Sequence, residues 1–314
     1  MKCARMTEIN VGVAAPNSFL EHDSTATSVR EYIDRAEKLN FHSLWVRDRL
    51  LHKDLPILDA LSVMAYAIAR TSKMKIGSSI VMFPLRNLSS FTKTIASLDF
   101  LSSGRIILGL GLGNNPREYE TAGIPMAKRV KRFNEGLEVM KELWSGETVN
   151  NESEFWKILE GKMMPPTVQK PHPPIWLGGS NDNVARRVVR SADGWIGGSF
   201  ASAPVYGEIV NKIRGHASES GRDPKTIDLA KLIHIHSSPD AEKSKKFLAE
   251  KLTKDYGRPY DVEKFAAYGP AQDCVKTLKQ YVAGGAQTLI LIPASPDPDQ
   301  LDIYANEIVP ALSQ

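Results

Sequence analysis

The chain has only two cysteines, Cys3 and Cys274, far apart and without a C-x-x-C spacing. That excludes a disulfide framework and a cysteine-held zinc site, and it fits a reducing compartment. No apolar run approaches the ~20 residues of a membrane span. The opening "MKCARMTEIN" carries positive charge but no apolar segment follows it, so it does not read as a secretory signal. Charge of one sign is also scarce: 40 basic residues stand against 36 acidic ones, a net +4. So small an excess gives no warrant for a nucleic-acid surface. Internal repeats are lacking, and no Pro/Gly linker with a change of composition divides the chain. These absences point to a cytoplasmic protein forming one domain over 1–314, with no nucleic-acid or membrane partner.

What is present is alternation. β-like runs at 8–15, 43–48, 74–82 and 105–111 are separated by helical patterns over about 25–39, 56–70 and 88–102. Four βα units in a row argue for a parallel sheet covered by helices. The rhythm breaks after residue 113. Residues 127–144 have helical spacing, while 150–174 is first polar and then proline-rich. Strands resume at 175–179, 193–199, 227–236 and 286–293, with helices filling the gaps at about 181–192, 204–219, 240–255, 271–284 and 298–312. Eight strands, each followed by a helix, predict a (β/α)8 barrel, an α/β TIM-barrel fold with an insertion at about 114–173, between its fourth and fifth strands. A doubly wound sheet is the alternative.

In such a barrel the active site lies at the C-terminal ends of the strands. Those ends are small here: "GLGLGNN" closes the fourth strand, "LGGSN" the fifth and "GGSF" the sixth. Glycine removes the side chain, so a planar ligand can approach the backbone. It also exposes N–H groups to an anion where a helix begins. Gly178, Gly179 and Ser180, just before the helix of 181–192, are a candidate phosphate site. Tight turning is the plainer explanation for any single pair of glycines.

A family resemblance rests on longer stretches. "SLWVRD" (43–48), the run 85–123 with its L-D-x-L-S-x-G-R and G-x-G-x-G, "RFNEGLEVMKELW" (132–144), and H-P-P-I-W-x-G-G followed by A-D-G-W resemble the bacterial luciferase-like superfamily. The similarity extends to "YGPAQDCVKTLKQYVAGGAQTLILI" (268–292). It implies a barrel oxidoreductase that binds deazaflavin (coenzyme F420) or FMN, acts on a small organic substrate and forms a homodimer.

Position by position, the resemblance assigns Asp48 to the flavin ring, but Arg49 follows where the family usually has histidine. An arginine is always protonated near neutral pH, so it serves as an anion holder and not as a base. It implies a non-prolyl cis peptide at Ser79–Ile80, pressed against the ring, with Gly111, Leu112 and Gly113 beside it. Asn114 occupies the place of a proton-donating glutamate in deazaflavin-dependent sugar-phosphate dehydrogenases. Glu118 and Tyr119 are nearby polar alternatives, giving Asp48, Arg49, Asn114 and Glu118 as the catalytic candidates. F420 is preferred over FMN because the histidine of many monooxygenases is missing. An FMN monooxygenase working with a separate flavin reductase is the runner-up, and a non-catalytic flavin-binding relative a third reading.

Two other signals compete. His234 and His236 share one face of the seventh strand and could begin a metal site, as in a barrel hydrolase. The remaining histidines, including His22 and His52, are scattered, so the favoured prediction contains no metal. Lys128, Arg129, Lys131 and Arg132 read as a solvated helix face or as a holder of a cofactor's phosphorylated tail. Trp45, Trp176 and Trp195 read as barrel wall.

Overall fold

The structure is a computed structural model and describes residues 9–18, 25–51 and 55–312. Cys3, His22 and His52 lie outside the described residues.

Eight parallel strands close on themselves: β1 (Asn10–Ala14), β2 (Ser43–Val46), β3 (Lys75–Ser78), β5 (Ile106–Gly111), β8 (Ile175–Gly178), β9 (Gly194–Gly197), β10 (Asp228–Ser237) and β12 (Thr288–Pro293). The last closure pairs β12 with β1, Asn10 opposite Thr288. The two-residue β4 (Val81–Met82) continues β3 after a break and pairs with β5. An extra strand, β11 (Ala266–Gly269), adds to the upper part of β10, with Ala266 opposite His234. The (β/α)8 barrel is the fold that the eight βα units predicted. Its helices are α1 (Ala26–Lys38), α2 (Ala60–Arg70), α3 (Leu88–Leu101), α4 (Pro116–Thr121), α5 (Arg129–Trp144), α6 (Asp182–Ser191), α7 (Ala203–Glu219), α8 (Ala241–Tyr256), α9 (Val262–Phe265), α10 (Ala271–Ala283), α11 (Pro298–Ile303) and α12 (Val309–Leu312). The 150–174 stretch holds a feature its polar sequence did not suggest, an antiparallel hairpin of β6 (Val149–Glu152) and β7 (Lys157–Gly161).

Local chemistry sets the helix starts. Thr25 and Ser28 form a reciprocal capping box on α1, and the Asp59, Asn87 and Asn181 side chains accept from N3 amides of α2, α3 and α6. The shared sequence motifs do comparable work between elements. Buried Asp99 accepts from the Val168 and Gln169 amides at 2.6 and 3.0 Å, holding the chain that leads into β8. Arg105 donates to the carbonyls of Thr71 and Met74 at 2.9 and 2.8 Å, fixing the α2–β3 turn. Asp193 accepts from the Ile175 amide at 2.8 Å, aligning β8 with β9.

The barrel interior is a packed plug. Trp45 and Trp176 stack with centroids 5.2 Å apart, and Ile107, Ile196, Ala230, Leu232 and Ile290 fill in around them. Room for the two indoles comes from glycine: a Cβ at Gly77 would lie 2.4 Å from Trp45, and one at Gly194 2.5 Å from Trp176. Trp195 instead faces the helices and stacks on Tyr206 at 5.0 Å. All three tryptophans are wall and core. The plug makes the C-terminal mouth of the barrel a blind cup, lined by whatever the strand ends provide.

Candidate functional site

One side of the mouth is built by β3, β4, β5 and β8. The Ser79–Ile80 peptide bond between β3 and β4 is cis, as the family resemblance implied. The Ser79 amide remains tied to the Val46 carbonyl at 2.8 Å. Ile80 is directed across the cup, and its side chain fills the notches left by two glycines. A Cβ at Gly111 would meet Ile80 Cδ1 at 1.9 Å, and one at Gly178 would meet it at 2.5 Å. Gly109 is pressed against the Ser78 carbonyl, where a Cβ would lie 1.9 Å away, and Ser78 Oγ bonds both the carbonyl and the amide of Gly109.

This corrects the reading that these glycines leave backbone bare for a flat ligand. They make room for Ile80 and Ser78, and Ile80 forms the shelf. Beside it, Ser79 Oγ is buried with no hydrogen-bond partner among the described residues. A buried hydroxyl is seldom left unpaired, so this one fits a polar edge of a bound group.

The predicted catalytic positions divide. Asp48 is buried, and its carboxylate accepts from Arg86 at 2.6 Å and from the Met82 amide at 3.1 Å. It therefore locks β4 and the following turn to the end of β2. Glu118, on α4, reaches back to that same loop. It accepts from the Leu50 and Leu51 amides at 3.1 and 3.4 Å and pairs with Arg49 at 3.3 Å. The geometry gives Glu118 and half-exposed Arg49 to each other and to the loop. Asn114 is exposed, while its neighbour Asn115 caps α4. Gly113 has φ +71°, a left-handed turn that favours glycine. The Leu112 carbonyl accepts from the Tyr119 hydroxyl.

Gly179 and Ser180 are exposed just ahead of α6, which Asn181 caps. Gly179 sits at φ +128°, and its carbonyl accepts from the Trp195 indole at 2.8 Å. This fixes the turn that leads into the ten-residue helix α6, whose Val184 amide is taken by the Asn181 side chain at 3.0 Å. In the basic cluster Lys128 and Lys131 pair with Glu154, and Arg132 stacks 3.9 Å above Trp156 while donating to the Pro84 carbonyl. Arg129 donates to the Met126 carbonyl.

The other side of the mouth is open. A cavity of about 360 Å³ lies between the ends of β1, β10 and β12 and helix α8, reached by Ala14, Ile292, His234, Arg47 and Asp255. Buried His234 bonds the Tyr256 hydroxyl at 2.9 Å, which in turn is 3.1 Å from Ser199 Oγ. Burial, reinforced by the Arg47, Lys231 and Lys251 charges, pushes the His234 pKa well below 6.5, so the ring is neutral. His236 instead bonds Ser244 Oγ at 2.9 Å. The two histidines thus have separate partners, and among the described residues no group of three or more His, Cys, Asp or Glu side chains could hold a metal ion.

Sequence reasoning missed Lys231. It lies on the helix-facing side of β10, fully buried, and donates to the Gly198 carbonyl at 2.8 Å, fixing the loop after β9. Burial pushes its pKa down to about 7.

The family model described as "Luciferase-like monooxygenase" matches residues 9–260, and the chain belongs to that family. It is 27% identical over 223 residues to an F420-dependent glucose-6-phosphate dehydrogenase of Amycolatopsis mediterranei, covering 68% of this chain and 66% of that protein. The chain thus spans just under two thirds of that curated relative's length. Among solved structures, an F420-dependent secondary alcohol dehydrogenase in complex with an F420–acetone adduct superposes with a TM-score of 0.84 at 21% identity, covering 97% of this chain and 99% of that one. The oxygenating constituent of 3,6-diketocamphane monooxygenase of Pseudomonas putida, in complex with FMN, superposes with a TM-score of 0.79 at 16% identity, covering 97% and 98%. These likenesses describe a luciferase-like barrel oxidoreductase class that uses deazaflavin in some members and flavin in others.

Proposed function

We propose that this protein is an F420-dependent oxidoreductase that exchanges a hydride between the deazaflavin and a small organic alcohol or carbonyl compound. The observation that carries the reading is the Ile80 shelf: a side chain seated on Gly111 and Gly178 beside a buried, unpartnered Ser79 hydroxyl. When bound, the deazaflavin supplies a carbon centre that accepts or gives hydride. The chain's own part is positioning. Ile80 would support the ring, and Ser79 Oγ would hold a polar group of it. The Gly178–Gly179–Ser180 turn and the start of α6 take phosphate. Asp48, held by Arg86, fixes the wall of the ring site, and Glu118 holds the loop that carries Arg49 over it. The neutral His234 imidazole faces the open half of the mouth, where it can exchange a proton at a substrate oxygen.

An FMN monooxygenase served by a separate reductase is the second reading, supported by the FMN-bound likeness. Arg49 and Asn114, where relatives carry reactive groups, keep a non-catalytic flavin-binding role as the third. The proposal includes a homodimer. Its support is the exposed apolar set Phe100, Leu101, Met164 and Val168 around the end of α3. Incubating the protein with reduced F420 and a panel of ketones and aldehydes tests the reaction. Oxidation of F420 that depends on the carbonyl compound supports it; oxygen consumption with reduced FMN and none with F420 moves the assignment to the monooxygenase.

A further inference from the structure

The outer wall of the barrel carries a groove of about 560 Å³ where α6 and α7 end. Helices of a βα barrel run antiparallel to its strands, so these ends lie toward the face opposite the mouth. Arg186, Val189 and Arg190 form the α6 wall, since residues three and four apart share a helix face. His216, Glu219 and Ser220 form the α7 wall, and Arg222 closes the end.

Four of these seven side chains are basic, and the neighbouring carboxylates do not use them up. Asp182 takes Arg186 at 2.8 Å and His216 at 2.9 Å, while Glu219 takes the other His216 nitrogen at 3.3 Å. Those bonds, to Asp182 and then to Glu219, raise the His216 pKa. Asp223 is turned to the Lys225 amide at 2.9 Å. Arg190 and Arg222 have no carboxylate partner among the described residues. Arg190 donates from Nε alone, to Ser191 Oγ at 3.3 Å. Arg222 is fixed by the backbone: Nη1 donates to the Val189 and Ala192 carbonyls, each at 2.8 Å, and Nε to Thr226 Oγ1 at 3.2 Å. Its Nη2 has no partner among the described residues. The end of α6 answers part of this charge, because a helix C-terminus carries about half a negative unit. Two guanidiniums exceed it.

We infer that this groove is a binding site for a phosphomonoester, a small phosphorylated metabolite whose phosphoryl group lies between Arg190 and Arg222. A guanidinium presents a planar fork that matches phosphoryl oxygens. Two forks on different walls ask for a dianion with three oxygens; a lone carboxylate fills one of them. Arg222 is held in place beforehand, so little ordering is lost on binding. The volume suits one small ligand. Glu219, with its side chain 75% exposed, works against the dianion and limits its affinity. The groove is separate from the Gly178–Gly179–Ser180 turn, which lies at the other end of α6, ~15 Å away for ten residues.

Isothermal titration of the full chain at constant ionic strength tests this, with glycerol 3-phosphate, inorganic phosphate, acetate and a short single-stranded DNA as probes. The inference expects glycerol 3-phosphate to bind at submillimolar concentration and more tightly than the other three. Arg190→Gln should weaken it by at least about fivefold, and Glu219→Gln should tighten it by about twofold. Both residues are exposed, so both variants should keep the wild-type melting temperature. A gain in Glu219→Gln cannot come from misfolding. F420 titration of Arg190→Gln should match the wild type. Unchanged ester affinity in Arg190→Gln, binding of no phosphate probe, or tighter binding of inorganic phosphate or DNA than of the ester would overturn the inference. Loss of F420 affinity in Arg190→Gln would also overturn it, by giving the arginines to the cofactor.

Discussion

Replacing Gly111 by alanine puts the Ile80 shelf under direct load. The new Cβ would lie 1.9 Å from Ile80 Cδ1 and 3.1 Å from Cγ1. Ordinary carbon contact is ~3.5 Å, so the isoleucine tip must move by about 1.5 Å. Gly178 and the plug close the other directions, so the free direction is outward, into the space assigned to the ring. Overpacking of this kind costs about 1–3 kcal/mol. The same displacement should weaken cofactor binding by more than tenfold, which is about 1.4 kcal/mol. Ile80→Ala in the Gly111→Ala background removes both clashing carbons and leaves only Ile80 Cβ, at 3.9 Å. The double variant should therefore be more stable than the sum of the single effects by at least about 1 kcal/mol. Gly215→Ala is the control: it lies in α7 with nothing within 4 Å of its Cβ, and should stabilise by about 0.5–1 kcal/mol. Denaturant unfolding gives the stabilities and fluorescence titration the affinities. Strict additivity of Ile80→Ala and Gly111→Ala, or a Gly111→Ala variant as benign as Gly215→Ala, would refute the shelf.

Other outcomes follow from the same geometry. Lys231 has a folded pKa of about 7 against an ordinary value near 10.5, so between those pH values the unfolded chain binds a proton that the folded chain does not. Stability from this group is complete above the upper value and is lost as pH falls to about 7. Melting curves of wild type and Lys231→Met across pH 6–10 should show a wild-type advantage that grows with pH, by up to ~1.4 kcal/mol per unit; a constant difference would contradict it. Arg86→Met strands the buried Asp48 carboxylate and should cost about 3–5 kcal/mol in urea unfolding, whereas Asp48→Asn with Arg86→Met should cost less. Glu118→Ala should speed hydrogen exchange at the Leu50 and Leu51 amides, which it holds, and leave Gly109 protected.

The barrel was legible because its pattern is local. Alternating runs such as "IDLAKLIHIH" and helical spacing in 127–144 need no knowledge of what they pack against. The cis bond at Ser79 was legible only through family likeness, since no property of serine or isoleucine announces it. The glycines of "GLGLGNN" show where reading stops. A sequence records that a side chain is missing at Gly111, but the neighbour that fills the gap, Ile80, comes from the break between β3 and β4, about thirty residues away. The partners of Glu118 were hidden for a related reason: they are amides 67 and 68 residues away. Lys231 had a signal that went unused, a charged residue in the helix-facing register of a buried strand. The β6–β7 hairpin was missed because its strands are short and largely exposed, with little apolar alternation to mark them.

The central claim is that the Ile80 side of the mouth is a deazaflavin site, and cofactor titration tests it most directly. Purified protein titrated with F420 and with FMN should bind F420 at micromolar concentration and FMN more weakly, with F420 affinity reduced in Gly111→Ala, which displaces the shelf, and also in Ile80→Ala, which removes it. Binding of FMN alone would contradict the choice of cofactor, and binding of neither would contradict the site.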